Sequence, residues 1–488
     1  MTALGQQLLQ FLGDSNLTAK FQQMCGIRNH FLTKCTWANG NGAAGVISAG
    51  MSELSGGIND NRKAANNCNL SGKSEANGHE EHHCRGQNHN NHISNGLSKD
   101  YILHRRNGYR NGLSPLDRLT NILIDHKVPD MQNQYENGTE LKTNHHASGQ
   151  TNTICEPVYT IENSMLYYLF IFGAGLGNEL FYILFFSSTL WNFDSLVIRK
   201  LLIVWCVIMY VGQAAKDIIR WPRPKSPPVI RLEERYELEY GMPSTHAMVG
   251  VAIPFGMIIF MSERYEFNHF LGYMCAVIWS LLVSLSRLYL GMHSVLDIIA
   301  GVLCSVSLMA VTVSVLEPID SFLMSHPMAL PVTIIICIAL CLIYPSLEQW
   351  STARGDTTLV LGVFSGIYAG MWLTGKLTDF EHLPNTPPYT LEFPSAHNFF
   401  LGLLRQTGGL VIIILFLTFI KMVILHSLSW LCSCDPKDPK TKQRRPVELP
   451  YKYVSYYISA MASTYLIPLL FLKFNIERPS YYTEIFNQ

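Results

Sequence analysis

The sequence predicts an all-α polytopic transmembrane helical bundle of about 8–10 spans, preceded by a long disordered N-terminal tail. Hydrophobic residues make up 48% of the 488 positions and charged residues only 15%, whereas ordinary globular proteins carry roughly 25% charge. The polar residues are concentrated before about position 160, and the apolar residues follow them. These observations indicate that the first part of the chain lies in water and the second in lipid.

The beginning of the chain, residues 1–27, predicts a short amphipathic helix. Leu4, Leu8, Phe11 and Leu12 recur at helical spacing. The apolar run is too short for a secretory signal and lacks a small-residue cleavage site. We therefore interpret this segment as an N-terminal helix.

The following segment, residues 28–160, is rich in Asn, Gly, Ser and His and has few periodic apolar positions. It cannot bury enough apolar surface to offset the entropy of ordering, so we predict that it is disordered. Its His-rich tract at 78–92 is interpreted as low-complexity sequence and not as a metal site, because it lacks the paired spacing of structural zinc ligands. Glycosylation sequons at Asn16, Asn69 and Asn137 matter only if the tail is lumenal.

The remainder of the chain contains apolar runs long enough to cross a bilayer, which takes about 20 residues. Nine runs lie near 165–187, 200–216, 245–262, 269–286, 295–316, 329–345, 357–375, 409–431 and 453–473. The stretch 393–405 is moderately apolar and could form a re-entrant segment, which would change the count by one. Five of the runs fall in residues 161–320, and the others fall in residues 321–488 together with a C-terminal tail.

The charge balance gives no support for a nucleic-acid-binding protein. The 36 Lys and Arg residues equal the 36 Asp and Glu residues, for a formal net charge of +0 at pH 7. Nucleic-acid-binding domains usually carry a concentrated basic patch, and here the basic residues cluster only in short loops. The sequence contains no indication of oligomeric state.

Three short motifs lie at the ends of the predicted spans. They are KDIIRWPRP with Lys216 and Arg223, PSTH at 243–246 with Ser244 and His246, and SRLYLGMHSVLD with Arg287, His293 and Asp297. Two predicted spans separate the second motif from the third. Because an even number of crossings returns the chain to the same side, we expect all three motifs to meet at one membrane surface.

The residue types in these motifs suit a phosphate group. Arg guanidinium groups match phosphate oxygens and Lys adds a point charge, so Lys216, Arg223 and Arg287 would neutralise it, and Ser244 adds a hydroxyl. No cluster of carboxylates that could hold Mg²⁺ or Ca²⁺ is evident. The set predicts a phosphate site that uses the protein's own cations, without a metal or cofactor.

The two histidines can divide the chemistry between them. His293 and Asp297 are four residues apart at the start of a helix, so they share a face, and the carboxylate can fix the imidazole tautomer while the other nitrogen attacks phosphorus. His246 would then protonate the departing alkoxide and later activate water. Each residue alone has an ordinary explanation as an interfacial anchor or helix-end polar residue. Their joint arrangement favours a site.

These motifs resemble those of the type 2 phosphatidic acid phosphatase superfamily: Lys-x6-Arg-Pro, a Pro-Ser-x-His element, and Ser-Arg-x5-His-x3-Asp. The usual central motif is Pro-Ser-Gly-His, and the Thr245 that replaces Gly in YGMPSTHAM is similar to the sphingosine-1-phosphate phosphatase branch. The resemblance covers roughly residues 160–480, with more spans than the six typical of broad lipid phosphate phosphatases, and extends faintly to residues 3–27.

The resemblance implies residue roles and a substrate. It makes His293 the nucleophile oriented by Asp297 and His246 the acid, with four residues on the phosphate: Lys216, Arg223, Ser244 and Arg287. It implies a metal-independent enzyme of the endoplasmic reticulum membrane that releases phosphate from sphingoid base 1-phosphates, with a lumenal active site and the catalytic core in residues 161–320. A broad phosphatase acting on phosphatidate or lysophosphatidate is the alternative, and a non-catalytic lipid transporter or receptor is a remote one.

Three other features of the sequence lie outside these motifs: a second Pro-Ser-x-His, a Glu in an apolar run, and a basic loop. A second Pro-Ser-x-His at 394–397 has no accompanying motifs, so we do not assign it to the site. Glu179 lies in an apolar run and could contact the ammonium of a sphingoid base, although a polar contact between helices is the simpler explanation. Counting spans puts the basic loop at 435–445 on the catalytic side, and the positive-inside rule would make that side cytosolic.

Overall fold

A computed structural model of the chain describes residues 3–38, 44–48, 154–233, 236, 238–345, 347, 350–377, 387–391, 393–436, 438, 440–478 and 480–486. The described residues belong to two compact units. One comprises 3–28 and 163–486, and the other comprises 29–38, 44–48 and 154–162. The predicted His-rich tract and the sequons at Asn69 and Asn137 lie outside the described residues.

The first unit is helical. Its helices are α1 (Ala3–Leu12), α2 (Ser15–Met24), α3 (Ser164–Gly175), α4 (Glu179–Asn192), α5 (Ser195–Ile219), α6 (Thr245–Ser262), α7 (His269–Tyr289), α8 (Val295–Ser314), α9 (Leu316–Ser325), α10 (Ala329–Ile343), α11 (Thr352–Leu377), α12 (Ala396–Leu431), α13 (Arg445–Thr464), α14 (Leu466–Lys473) and α15 (Ser480–Phe486). The all-α membrane class predicted from the sequence is confirmed.

The amphipathic segment at the N-terminus forms two helices instead of one. The chain breaks between α1 and α2 because Asp14 caps the second helix, its carboxylate accepting a hydrogen bond from Asn16 N at 2.9 Å. In the segment predicted to be disordered, the structure describes three strands. They are β1 (Ile27–Ala38), β2 (Ala44–Ser48) and β3 (Ile154–Ile161), in the order β2-β1-β3, with β1 antiparallel to β2.

Among the described residues, seven helices are long and apolar enough to cross a membrane, or nine segments if each of two bent pairs counts as one span. The bent pairs are α3 with α4, at 63°, and α9 with α10, at 120°. The second bend contains Pro327, which cannot donate a backbone hydrogen bond. The stretch 393–405, a possible re-entrant segment by its sequence, instead leads into α12, which begins at Ala396 and continues for 36 residues.

The centre of the bundle is α5. Its side chains are buried along most of its length, and it packs against α6, α8 and α11. Glycines allow close approach at the end where the three motifs lie. A Cβ on Gly301 of α8 would lie 2.7 Å from Ser244 O, and a Cβ on Gly212 of α5 would lie 2.8 Å from Met248 Sδ. The starts of α6 and α8 therefore lie close together.

Buried ion pairs join the helices at the opposite end of the bundle. Arg264 Nε lies 2.8 Å from Asp194 Oδ2, which precedes α5, and Arg199 of α5 pairs with Asp320 of α9 at 2.8 Å. Glu484 of α15 accepts a hydrogen bond from Ser195 N at 2.7 Å. Two short parallel strands, β4 (Tyr265–Glu266) and β5 (Tyr389–Thr390), also lie at this end.

Candidate active site

The three sequence motifs meet where α5 ends and α6 and α8 begin. Lys216 Nζ donates to Thr245 Oγ1 at 3.0 Å, which joins the first motif to the second. Arg223 Nη1 lies 3.3 Å from His293 Nε2, which joins the first to the third. Ser244 N donates to Asp297 O at 3.0 Å, which joins the second to the third. The expectation from span parity therefore agrees with the arrangement of these helix ends.

His293 lies in the loop before α8 and is 1% exposed. Its Nε2 faces Arg223 Nη1, and because a guanidinium can only donate, Nε2 is the accepting nitrogen and the proton is on Nδ1. Nδ1 lies 3.7 Å from Asp297 Oδ2, beyond hydrogen-bond distance. Burial, followed by the charges of Arg223, Arg287 and Lys216, lowers the pKa of His293 well below its usual value. The imidazole is therefore neutral at physiological pH.

Asp297 is fixed by the helix that it begins. Ser294 caps α8 and forms a capping box with Asp297, in which Asp297 Oδ2 accepts from Ser294 N at 2.7 Å and Ser294 Oγ accepts from Asp297 N at 3.3 Å. This pair of bonds holds the carboxylate on the Nδ1 side of the His293 ring. The local sequence thus orients the group predicted to orient the imidazole.

His246 lies in the first turn of α6, and its Nε2 is 3.1 Å from Asn178 Oδ1. The ring of Tyr236 packs edge-on against it, with centroids 5.5 Å apart. Gly177 leaves the space that the imidazole occupies, because a Cβ there would lie 2.4 Å from His246 Cδ2. Asn178 and Gly177 belong to the bend between α3 and α4. Neither residue belongs to a motif recognised in the sequence, although GLGNE inside an apolar run marks a break.

The cations of the site are buried but differ in their partners. Lys216 Nζ pairs with Glu239 Oε2 at 2.8 Å. Arg223 donates to Glu239 O at 2.7 Å and to Met292 O at 2.8 Å. Burial lowers the pKa of Arg223 to about 10, against the opposing charge of Glu239 and with a smaller further lowering by Arg287, so the guanidinium stays protonated at neutral pH.

Arg287 retains donors for a ligand. Its Nη1 pairs with Glu233 Oε2 at 2.7 Å. Its Nε and Nη2 are buried and have no hydrogen-bond partner among the described residues. Buried donors are almost always paired in folded proteins, so these N–H groups mark a position where an anion would complete their bonding.

Glu239 is a site residue that the sequence analysis missed. Burial alone would raise the pKa of Glu239, but Lys216 and Arg223 outweigh burial and lower it, so the carboxylate is charged. Thr352 of α11 also donates to it, at 2.5 Å. The sequence did offer one indication of this residue, because buried cations need a negative charge nearby. The acidic segment at 233–239, just before the second motif, supplies one.

Ser244 occupies a different position from the other predicted phosphate ligands. Its side chain caps α6, with Oγ accepting from Ala247 N at 3.4 Å, and the residue is fully buried. Its neighbours Thr245 and His246 line the cavity, whereas Ser244 does not. The positive end of the α6 dipole points toward the cavity at this position, which favours an anion.

A cavity of about 180 Å³ connects these groups to the interior of the bundle. Its polar end is lined by Lys216, Arg223, His246, Arg287 and His293. The rest of the lining is mostly apolar, with side chains from α4, α5, α11, α12 and α13, namely Phe186, Leu190, Trp191, Leu202, Trp205, Met209, Val363, Leu410, Ile413, Leu417 and Tyr456. The shape suits a phosphate carried on a long hydrocarbon chain.

The remaining candidates lie elsewhere. Ser395 of the second Pro-Ser-x-His caps α12, and His397 is exposed. Within the part of the chain that the structure describes, no group of three His, Cys, Asp or Glu side chains is arranged to hold a metal ion.

Comparisons with known proteins identify relatives of this chain. Residues 198–319, which contain all the predicted catalytic and phosphate-binding residues, match the PAP2 superfamily. Sphingosine-1-phosphate phosphatase 2 of Mus musculus is 39% identical over 320 residues, covering 64% of this chain and 89% of that protein. Sphingosine-1-phosphate phosphatase 1 of Rattus norvegicus is 40% identical over 313 residues, 64% and 73% of the two chains. Lipid phosphate phosphatase delta of Arabidopsis thaliana is 27% identical over 223 residues, 44% and 53%. No solved structure matches.

Proposed function

Since the chain belongs to the sphingosine-1-phosphate phosphatase family of the PAP2 superfamily and is a multi-pass membrane phosphatase that acts on lipids, we propose that it hydrolyses sphingosine 1-phosphate and related sphingoid base 1-phosphates. The products are the free base and inorganic phosphate. The observation that carries the proposal is the pair of buried Arg287 donors, Nε and Nη2, in a cavity whose lining is mostly apolar.

The first step forms a phosphohistidine. Arg223, Arg287 and Lys216 hold the phosphate oxygens, and neutral His293 attacks phosphorus through Nε2 while its Nδ1 proton faces Asp297. The bond between phosphorus and the ester oxygen breaks, and that oxygen takes a proton from His246 Nε2. The free base leaves with this proton.

The second step releases phosphate. His246, now neutral, removes a proton from water, the resulting hydroxide attacks phosphorus, and the P–N bond to His293 breaks. Both histidines return to their initial protonation states. Three protein cations stabilise the charge on the transferring phosphoryl group, so we propose that catalysis needs no metal ion.

The two halves of the first unit have different parts in this proposal. Residues 161–320 supply the catalytic and phosphate-binding groups. The helices in residues 321–488 supply apolar cavity wall through α11, α12 and α13. A lipid tail can therefore stay among hydrophobic side chains while its headgroup reaches His293.

We also propose that the enzyme lies in the endoplasmic reticulum membrane with a lumenal active site, as the family resemblance implies. The basic loop at 435–445 is at the same end as the site. Arg445 donates to Leu342 O at 2.7 Å, and Tyr344, two residues later, donates to Asp217 at 2.9 Å, next to Lys216. By the positive-inside rule this loop alone would be cytosolic, so the orientation needs a direct measurement.

The test is phosphate release by membranes that contain this chain. Sphingosine 1-phosphate and phosphatidate are supplied separately with excess chelator. We expect release from sphingosine 1-phosphate, and a loss of more than about 1,000-fold in His293→Ala, because removal of a nucleophile abolishes the covalent route. His397→Ala, in the exposed second Pro-Ser-x-His, is the matched control.

Each other outcome has a defined meaning. Equal release from both lipids would move the substrate to the broad lipid phosphate class and keep the mechanism. Loss of release with chelator would contradict metal independence. Release from neither lipid would favour a binding protein or transporter.

A further inference from the structure

Sphingoid base 1-phosphates carry an ammonium group that phosphatidate lacks. Building on the proposed function, we propose that the carboxylate of Glu179 binds this ammonium and thereby selects sphingoid base phosphates over other lipid phosphates. Glu179 is thus a specificity-determining residue and takes no part in the cleavage itself.

The position of Glu179 follows from the bend between α3 and α4. It is the first residue of α4 and lines the cavity. The hydroxyl of Tyr236 lies 3.3 Å from each of its carboxylate oxygens. The ring of the same Tyr236 packs against His246, with centroids 5.5 Å apart. Tyr236 therefore links the carboxylate to the imidazole.

The chain itself supplies a second link between the same two groups. Asn178, which holds His246 Nε2 at 3.1 Å, is the residue immediately before Glu179. Glu179 therefore lies beside the proposed proton donor. In the proposed reaction this is the side from which the lipid alkoxide leaves.

The covalent structure of the substrate puts its ammonium on that side. In a sphingoid base 1-phosphate, carbon 1 carries the ester oxygen and carbon 2 carries the amine, so only three bonds separate the nitrogen from the oxygen that His246 protonates. A carboxylate beside His246 can therefore reach the ammonium while the phosphate occupies the cations. The hydrocarbon chain then continues into the apolar part of the cavity.

Two further carboxylates that line the cavity, Glu239 and Asp356, lie beside protein cations. Glu239 pairs with Lys216 at 2.8 Å, and Asp356 lies 3.6 Å from Lys452 Nζ. Binding the substrate ammonium to either would compete with these pairs. A negative charge at Glu179 would also disfavour phosphatidate, which has ester oxygens where the sphingoid base has its amine.

The experiment compares two single-chain lipid phosphates, of which only sphingosine 1-phosphate carries the amine, together with a hydroxyl and a double bond that Glu179→Gln leaves unchanged. Values of kcat/KM are measured for sphingosine 1-phosphate and for octadecyl phosphate with the wild type, Glu179→Gln and Glu179→Asp. We expect Glu179→Gln to reduce the preference for sphingosine 1-phosphate about tenfold or more, since a hydrogen bond between charged groups is lost. Glu179→Asp should retain part of the preference because the charge remains.

Glu266→Gln is the matched control, since it makes the same change at an exposed residue of β4 at the other end of the bundle. Equal loss on both substrates in Glu179→Gln would show a structural role and overturn the proposal. A wild type that cleaves both substrates equally well would also overturn it, while leaving the phosphatase function in place. A wild type that cleaves neither would overturn the proposed function and the amine site together.

Discussion

At the scale of single residues, the reactivity of His293 depends on its surroundings. Burial and three nearby cations lower its pKa well below the usual value. Below a pH of about 6.5, the unfolded chain therefore binds a proton at His293 that the folded protein does not. Stability present at neutral pH is thus lost as the pH falls from about 6.5 toward the lowered pKa, by at most about 1.4 kcal/mol per pH unit.

The corresponding measurement is thermal stability of the detergent-solubilised protein from pH 7.5 to pH 5. We expect the wild type to lose stability more steeply than His293→Gln, which has no titrating imidazole at this position. His269→Gln, at an exposed site at the start of α7, is the control and should keep the wild-type slope. Equal slopes in the wild type and His293→Gln would contradict a neutral buried imidazole.

Residues that act together over a short distance in the chain could be predicted from the sequence. His293 and Asp297 are four positions apart, and although His293 lies in the loop before α8, its Nδ1 is 3.7 Å from Asp297 Oδ2. Asn178 and Glu239 could not be found in this way. Their partners His246 and Lys216 are 68 and 23 positions away, and no periodicity links residues in separate elements. Ser244 matched the motif, but its hydroxyl caps α6, a role that the motif does not distinguish.

At the scale of elements, helix α2 supports the loop between α7 and α8 that carries His293. Gln22 Nε2 donates to Ile230 O at 2.6 Å and to Tyr289 O at 2.9 Å, and its Oε1 accepts from Ile230 N at 3.0 Å. Thr18 Oγ1 donates to His293 O at 3.4 Å. Between Tyr289 and His293, Gly291 has a φ of +70°, which other residues rarely adopt. Helix α2 therefore fixes the backbone on both sides of this turn.

We expect Gln22→Ala to lower both stability and kcat. The substitution leaves buried backbone groups unsatisfied, at a cost of about 1–3 kcal/mol, and loosens the loop that carries His293. Gln23→Ala changes the same residue type on the exposed side of α2 and is the control. The measurements are the thermal stability and the steady-state kinetics of both variants. If the two variants behaved alike, α2 would have no role in positioning the loop.

The bends of the bundle show why the beginnings and ends of the helices were harder to predict than the presence of the helices. The apolar run at 165–187 predicted one span, but the chain turns by 63° between α3 and α4 and brings Asn178 to His246. Hydropathy averages over such a turn because it contains no charged residue until Glu179. In contrast, the possible re-entrant segment at 393–405 is part of a long helix from Ala396 onward, since Ser395 caps a helix that continues to Leu431.

At the scale of the whole molecule, the helices nearest the two ends of the chain lie at opposite ends of the bundle, and we expect them to face opposite membrane surfaces. Helix α2 contacts the active-site loop, whereas α15 contacts the start of α5 at the other end through Glu484. Nine crossings, with each bent pair counted as one, agree with this arrangement for the described residues. The compartment of Asn16, in α2, is therefore the compartment of the active site.

A glycosidase assay then gives the orientation. If the site is lumenal, we expect a glycosidase-sensitive mobility shift that is lost when Asn16, Asn69 and Asn137 are replaced by Gln. A sequon appended after Gln488 should remain unmodified in the same cells. Modification of the appended sequon alone would place the active site in the cytosol, in agreement with the basic loop at 435–445.

The apolar cavity also has a consequence for the stability of the protein without lipid. An unfilled cavity of about 180 Å³ costs on the order of 4 kcal/mol, at about 24 cal/mol per Å³. Hydrocarbon from the surrounding bilayer can offset that cost by entering from the membrane. A hydrocarbon chain is then a replaceable part of the hydrophobic core, supplied in turn by substrate, product and surrounding lipid, and each turnover exchanges one such chain for another.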